Sequence, residues 1–280
     1  MDGSARIQGL VGTTFKYVSL VVIGLMVMLP VVIILLASFK TTAEFNRGAP
    51  FAPPGNWFNV DNFATALNQG GMLPAFANTT FILVISVAGS VLIGSMAAYA
   101  IDRFEFRMKA LVLFLFLLAA LVPTVTSQVA TFKIVNGLGL FNTRWSAIVL
   151  YMSTDIISLY IFLQFMRSIP KALDEAALLD GASHWTIYRR VILPLLKPAI
   201  VTVVIIKGVF IYNDFYIPFL YMPSRDLPVV ATSLFRFRGP YETRWEVIAA
   251  GVIIAIIPTL LLFLVLQRWI YNGFARGAVK

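Results

Sequence analysis

Six apolar blocks, each long enough to cross a bilayer, constrain this chain more than any other feature. A span needs about 20 mostly apolar residues to cover about 30 Å of hydrocarbon. Tyr17–Ser38, Thr79–Ile101, Ala110–Val129, Trp145–Met166, Pro198–Tyr221 and Val247–Gln267 all qualify. Four of them carry no formal charge; the fourth holds only Asp155, and the fifth holds Lys207 and Asp214. Hydrophobic residues make up 59% of the 280 and charged residues 12%, about half the charge of a soluble domain. That balance excludes an ordinary soluble fold and also disorder, which needs low hydrophobicity. Closed β-barrels show short alternating segments. Leu111–Leu118 (LVLFLFLL) does not alternate. The expected fold class is therefore all-α, a polytopic membrane protein with six transmembrane helices.

Several chemistries are excluded. With no cysteine, disulfides, thiolate metal sites and cysteine nucleophiles drop out. His184 is the single histidine and cannot build a histidine-rich zinc site. The H-E-x-x-H, G-x-S-x-G and Walker A patterns are absent. Any ATP used must be bound by another chain.

Orientation follows from basic residues, which favour the cytoplasmic side. With both termini inside, segments 1–16, 102–109, 167–197 and 268–280 hold 13 Lys and Arg, and the outer segments 39–78, 130–144 and 222–246 hold 8. The inner segments are shorter in total, so basic density there is about twofold higher. The first block is longer than the about 7–15 apolar residues of a signal peptide and reads as an uncleaved span. Ser86, Ser90, Gly94 and Ala98 recur every four residues on the second span, leaving one flat face for a close helix. Packing inside the chain and contact with a second subunit both fit that face.

Residues 167–197 read RSIPKALDEAALLDGASHWTIYRRVILPLLK. Pro170 suits a first helical turn, and Asp174 and Glu175 lie where the helix dipole favours negative charge. Leu173, Ala176 and Ala177 line one side. Gly181 is expected to stop this helix at a left-handed cap, and Ser183 to open a second helix. On that second helix Trp185, Tyr188, Val191 and Ile192 form an apolar stripe, and Pro194 is expected to break it. Two short helices thus meet at a glycine corner. Their apolar surface suits either packing on the span ends or docking to another protein.

The stretch EAALLDGASHWTIYRRVILP resembles the EAA loop of permease subunits in bacterial ATP-binding cassette importers. The residues that carry the match are Glu175, Ala176, Ala177, Gly181, Val191, Leu193 and Pro194, with valine standing at 191 where that pattern has isoleucine. ASFKTTAEF after the first span, the tract around Pro54, DNFATAL, YNDFYIPFLYM, LPVVATSLFRFRGPYETRW and the ending LQRWIYNGFARGAVK are similar to the carbohydrate-importer class, of the maltose-transporter second-permease type. The resemblance implies that 1–280 is a single permease domain and that 167–197 is its cytoplasmic coupling loop. It implies a homologous second permease, two copies of a cytoplasmic ATPase and a periplasmic or extracellular solute-binding protein. No cofactor is expected on this chain, ATP and magnesium belonging to the ATPase. Nucleic acid is not an expected partner. The expected place is the bacterial inner membrane. Glu175, Ala176, Ala177, Gly181, Trp185, Tyr188, Val191, Leu193 and Pro194 are the implied coupling residues.

Ionisable residues inside a span suggest a cavity. Lys207 and Asp214 lie seven apart, ~10 Å along one helix face. Tyr212, Asn213 and Tyr216 cluster beside them. Hydrogen-bonding planes and aromatic faces suit a sugar, so Tyr212, Asn213, Asp214, Tyr216, Asp155 and Lys207 are candidate path residues. Pairing of Lys207 with Asp155 and placement of Asp214 near the outer surface are the plain structural alternatives. The outer loop 222–246, with Arg225, Arg236, Arg238, Arg244, Phe235, Phe237, Tyr241 and Trp245, is the candidate contact for the binding protein. Trp245 equally suits an interfacial aromatic belt. The basic tail Asn272–Lys280 suits either an ATPase contact or a frayed end. A permease for a non-sugar solute and a secondary transporter are the rival readings; a half-to-half repeat expected of many secondary transporters is not evident. A membrane enzyme would need a nucleophile–base or metal constellation, and none is evident.

Overall fold

A computed structural model describes residues 3–239 and 243–278; Tyr241 and residues 279–280 lie outside them. Among the described residues the regular structure is helical apart from one isolated β-bridge, Arg238 to Thr243. In order, the helices are α1 (Gly3–Phe39), α2 (Thr42–Asn46), α3 (Asp61–Asn68), α4 (Met72–Arg103), α5 (Lys109–Leu121), α6 (Thr124–Gly137), α7 (Arg144–Met152) and α8 (Ile156–Arg167). There follow α9 (Ala172–Leu179), α10 (His184–Ile187), a π-helical turn (Tyr188–Ile192), α11 (Leu193–Leu195), α12 (Lys197–Asn213), α13 (Tyr216–Tyr221), α14 (Val230–Ser233), a 3-10 turn (Leu234–Phe237) and α15 (Trp245–Ala278).

Among the described residues three helices are long and apolar enough to span, within α1, α4 and α15. Three bent pairs, α5 with α6, α7 with α8, and the helix ending at Leu195 with α12, bring the total to as many as six. The third, fourth and fifth blocks, expected as unbroken helices, are therefore interrupted. Pro123 has no N–H and keeps Val122 extended (ψ 117°), which ends the third. The fourth breaks over Ser153–Asp155, where Ser153 (ψ 135°) and Asp155 (ψ 164°) leave the helical region, and its halves differ in direction by 44°. The fifth stops at Asp214 (ψ 117°) and restarts at Tyr216.

The chain packs as two compact units. One comprises the residues up to Gly71 with Leu234–Leu260, the other Met72–Ser233 with the stretch from Leu261 on. In the first unit, α1 is apolar and mostly exposed from Thr13 to Phe39, so lipid or another chain must cover it. The backbone at its end is held by side chains. The Asn62 amide donates to the carbonyls of Ser38 (2.9 Å) and Lys40 (2.8 Å), and Asn59 donates to that of Phe39 (3.1 Å). These bonds satisfy carbonyls a helix end leaves open. Buried Lys40 donates to the Ala49 carbonyl at 2.7 Å. Buried Glu246 accepts from Thr42 at 2.8 Å and pairs with Arg244 at 3.3 Å.

The second unit is built on α4. Its small-residue stripe is buried: Ser86, Ser90 and Ala98 are inaccessible, and Gly94 is buried too. A Cβ on Gly94 would lie 3.1 Å from the Phe162 ring, and one on Gly89 would meet Met152. The stripe therefore seats α7 and α8 of the same chain, which decides between the two expectations in favour of internal packing. Replacing Gly94 by valine adds a branched side chain against Phe162, itself fully buried. We expect about 1–3 kcal/mol of destabilisation, read as a lower thermal midpoint in detergent, whereas the same change at exposed Ile93 leaves the midpoint in place.

Candidate functional site

The segment between the fourth and fifth spans forms a bent hairpin. Its first helix, α9, is preceded by Pro170, and Leu173 N–H donates back to the Pro170 carbonyl (3.2 Å). It ends as the sequence requires. Gly181 has φ +78°, a region that penalises any side chain. Ala182 N–H donates to the Ala177 carbonyl and Gly181 N–H to that of Leu178, both at 3.0 Å. This pair of bonds is the Schellman closure. Ser183 then caps α10, its hydroxyl accepting from Thr186 N–H at 3.2 Å.

The expected break at Pro194 does not occur there. The chain widens into the π turn, where Leu193 N–H reaches back five residues to the Tyr188 carbonyl. The wider winding accommodates a proline that cannot donate. The bend comes at Leu196, where α12 departs at 73°.

Burial divides the hairpin into two faces. Glu175, Ala176, Gly181 and Pro194 are exposed, with Leu179 90% and Trp185 57% accessible. Ala177, Val191 and Leu193 are partly buried against the core, and Ile192 is fully buried. Tyr188, expected beside Trp185 on a docking surface, points inward at 3% exposure. Its phenol and the Ser95 hydroxyl share a hydrogen bond of 2.8 Å. Ser95 is itself directed to the Val91 carbonyl (2.6 Å), which leaves the phenol as donor. Burial pushes the Tyr188 phenol up, so it keeps its proton. Tyr99 packs on Tyr188 at 5.5 Å between ring centroids, and Phe104 on His184 at 5.0 Å. The hairpin is thus rooted on α4, a partner it does not adjoin in sequence.

The intramembrane candidates gather at the two span breaks. Lys207 pairs with Asp155 at 2.8 Å and donates to the Ser153 carbonyl at 2.9 Å and, more weakly, to that of Tyr151 at 3.4 Å. Those carbonyls lost their helical partners at the break. Asp155 in turn caps α8 through Ser158 N–H at 2.8 Å. At the second break Asp214 accepts from Tyr216 N–H (2.7 Å) and from the Tyr151 hydroxyl (2.8 Å). Tyr216 also bonds Gln128, and the Asn213 amide turns back to the Val209 carbonyl at 2.8 Å. Tyr212, Asp214 and Tyr151 line a crevice of about 10 Å³, room for roughly one water. Of the six candidates, Tyr212 and Asp214 line this crevice.

A larger recess, about 450 Å³, lies in the first unit among Phe39, Thr41, Thr42, Glu44, Asn56 and Arg244. N–H donors of Thr41 and Gly55 hold the Glu44 carboxyl below the usual carboxylate range. That contribution is complete above about pH 4.3 and fades as pH falls through the lowered value.

With this geometry in view, comparison with known proteins settles the class. Residues 72–276 match the family described as binding-protein-dependent transport system inner membrane component. The chain belongs to that family. Among curated members, this permease is 34% identical over 272 residues to the multiple sugar-binding transport system permease protein MsmG of Streptococcus mutans, covering 95% of this chain and 96% of the relative. It is 33% identical to the probable starch degradation products transport system permease protein AmyC of Thermoanaerobacterium thermosulfurigenes, covering 93% and 94%. A crystal structure of a bacterial ABC transporter involved in the import of alginate contains a chain with the same fold. The TM-score is 0.81 at 21% identity, covering 96% of this chain and 98% of that one.

Two features of the permease escaped sequence reasoning. Asp174, read only as a helix-start charge, is buried against Arg103 at 3.1 Å. The polar contacts of Asn62, Lys40 and Glu246 fall in the segments 39–78 and 222–246, which the sequence marked only as outer segments and by resemblance. A buried charge inside an otherwise small, apolar helix face was the available hint for the first.

Removing the cation at the span break is a direct test of its role. Lys207→Met removes the cation from Asp155 and the donor from two carbonyls. Asp155 retains 42% side-chain exposure, so the cost falls below that of a fully buried pair, at about 2 kcal/mol. Thermal unfolding in detergent should show a lower midpoint, with part of the loss recovered in Lys207→Met/Asp155→Asn.

Proposed function

We propose that this permease is one half of the translocation path of an ATP-driven, binding-protein-dependent carbohydrate importer. It works beside a homologous second permease, with two copies of an ATPase on the cytoplasmic side and a soluble solute-binding protein on the other. The permease performs no chemistry, and ATP and magnesium belong to the ATPase. Both termini lie in the cytoplasm, consistent with the density of basic residues in the hairpin and neighbouring segments.

The observation that carries the reading is the hairpin. Its exposed face presents Glu175, Ala176, Leu178, Leu179 and Trp185, while its other face is rooted in the chain's own core. A fixed lever with an apolar, acid-bearing tip is what a separate engine needs in order to push on a helix bundle. An exposed tryptophan anchors interfaces well. Trp185, Glu175, Ala176 and Gly181 touch the ATPase in this proposal. Ala177, Tyr188, Val191, Leu193 and Pro194 shape and root the lever. Carbohydrate as the solute class rests on the relatives' sugar-transport names. Asn213, Asp214, Tyr212 and Tyr216 line the path, and the Lys207–Asp155 pair holds the break beside it.

Purification and reconstitution test the proposal. The tagged permease should bring down an ATPase and a second permease. In vesicles a cognate binding protein loaded with oligosaccharide should raise ATP hydrolysis. Solute flux by the lone chain without nucleotide would overturn the reading. Within the complex, Gly181→Pro cannot reach φ +78° and Glu175→Lys reverses the charge of the tip. Both should lower uptake by about tenfold or more with assembled complex retained; wild-type uptake in both would remove the hairpin from the mechanism.

A further inference from the structure

We infer that Arg103 and Asp174 are positioning residues that lock the first hairpin helix to the second span, making α4 the rod through which hairpin movement reaches the path. The inference rests on the importer reading above. Arg103 is the last residue of α4, and its side chain is 6% exposed. The guanidinium meets three groups: the Asp102 carboxylate at 2.7 Å, the Ile169 carbonyl at 2.9 Å and the Asp174 carboxylate at 3.1 Å. Two of these belong to the segment that leads into and opens α9.

Asp174 is the single buried residue of α9. Neither of its carboxylate oxygens accepts an aligned hydrogen bond, so its contact with Arg103 is an ion pair by distance alone. Burying a charge is expensive, and an apolar side chain would pack such a position at lower cost. What the charge adds is selectivity. Apolar faces slide over one another with little penalty, whereas a desolvated ion pair holds one register. The other root of the hairpin is separate. Tyr188 on Ser95 and His184 on Phe104 fasten the second helix, α10 with its π turn, to the same span. α4 thereby grips both arms of the hairpin, and it also seats α7 and α8 through its small-residue stripe. Loss of the Arg103–Asp174 contact frees only the arm that carries Glu175, Ala176, Leu178 and Leu179. The α10 root and the bundle stay in place. The consequence is uncoupling, with ATP consumed and α4 left behind.

The test uses the complete complex in vesicles with its binding protein and an oligosaccharide. Uptake and ATP hydrolysis are measured for wild type, Arg103→Gln, Asp174→Asn and Asp174→Glu. Asp174→Asn preserves size and leaves Arg103 paired with Asp102, so it decides the matter if Arg103→Gln lowers the amount of complex. We expect Asp174→Asn to keep most of the stimulated hydrolysis while solute moved per ATP falls at least about fivefold, with Asp174→Glu restoring most of that ratio. A parallel fall of uptake and hydrolysis, or no change in either, overturns the inference. Absence of stimulated hydrolysis in wild type would count against the importer reading instead.

Discussion

Hydrocarbon offers no hydrogen bonds, so every helix that breaks within it must have its freed N–H and C=O groups satisfied by the protein. This permease interrupts three consecutive apolar blocks and, in the fourth and fifth, meets the requirement with the few ionisable residues it places there. Asp155 supplies the acceptor for the restart of α8, and Lys207 supplies the donor for carbonyls left at the end of α7. Asp214 closes the end of α12 and takes the Tyr151 hydroxyl across to the neighbouring span. Charges that would destabilise a plain span are the groups that make broken spans tolerable.

The breaks and the hairpin belong to one continuous piece of chain. From Asp155 to Asp214 run α8, the hairpin and α12, bounded at each end by an interrupted span. The Gly181 closure stiffens the corner, and the π turn carries the chain past Pro194 without loosening it. In the proposed importer, a push on the exposed tip passes to the core and to α4 rather than being absorbed as local bending.

Much of this was legible in the residues. The six blocks, the stop at Gly181 and the cap at Ser183 follow from length, from the need for a positive φ and from side-chain capping. The break at Pro123 was legible in principle, yet the apolar run through Val129 outweighed it. The break at Ser153–Asp155 has no proline or glycine to announce it. It becomes visible only when Lys207, 52 residues away from Asp155, is seen to serve both sides. Periodicity placed Tyr188 on one stripe with Trp185, but it could not tell which end of that stripe meets α4. The same limit hid Arg103 opposite Asp174, since pairing across 71 residues leaves no local pattern.

In the proposed complex an ATPase subunit holds the hairpin tip. The chain has no cysteine, so a single cysteine in place of Leu179, the most exposed large hydrophobic residue of the hairpin, offers a clean probe. A short photo-activated crosslinker attached there in native membranes should join this permease to a nucleotide-binding chain, and the yield should change when ATP is bound. Crosslinking only to lipid or to this permease's own helices, or labelling only from the outer face, would contradict the account.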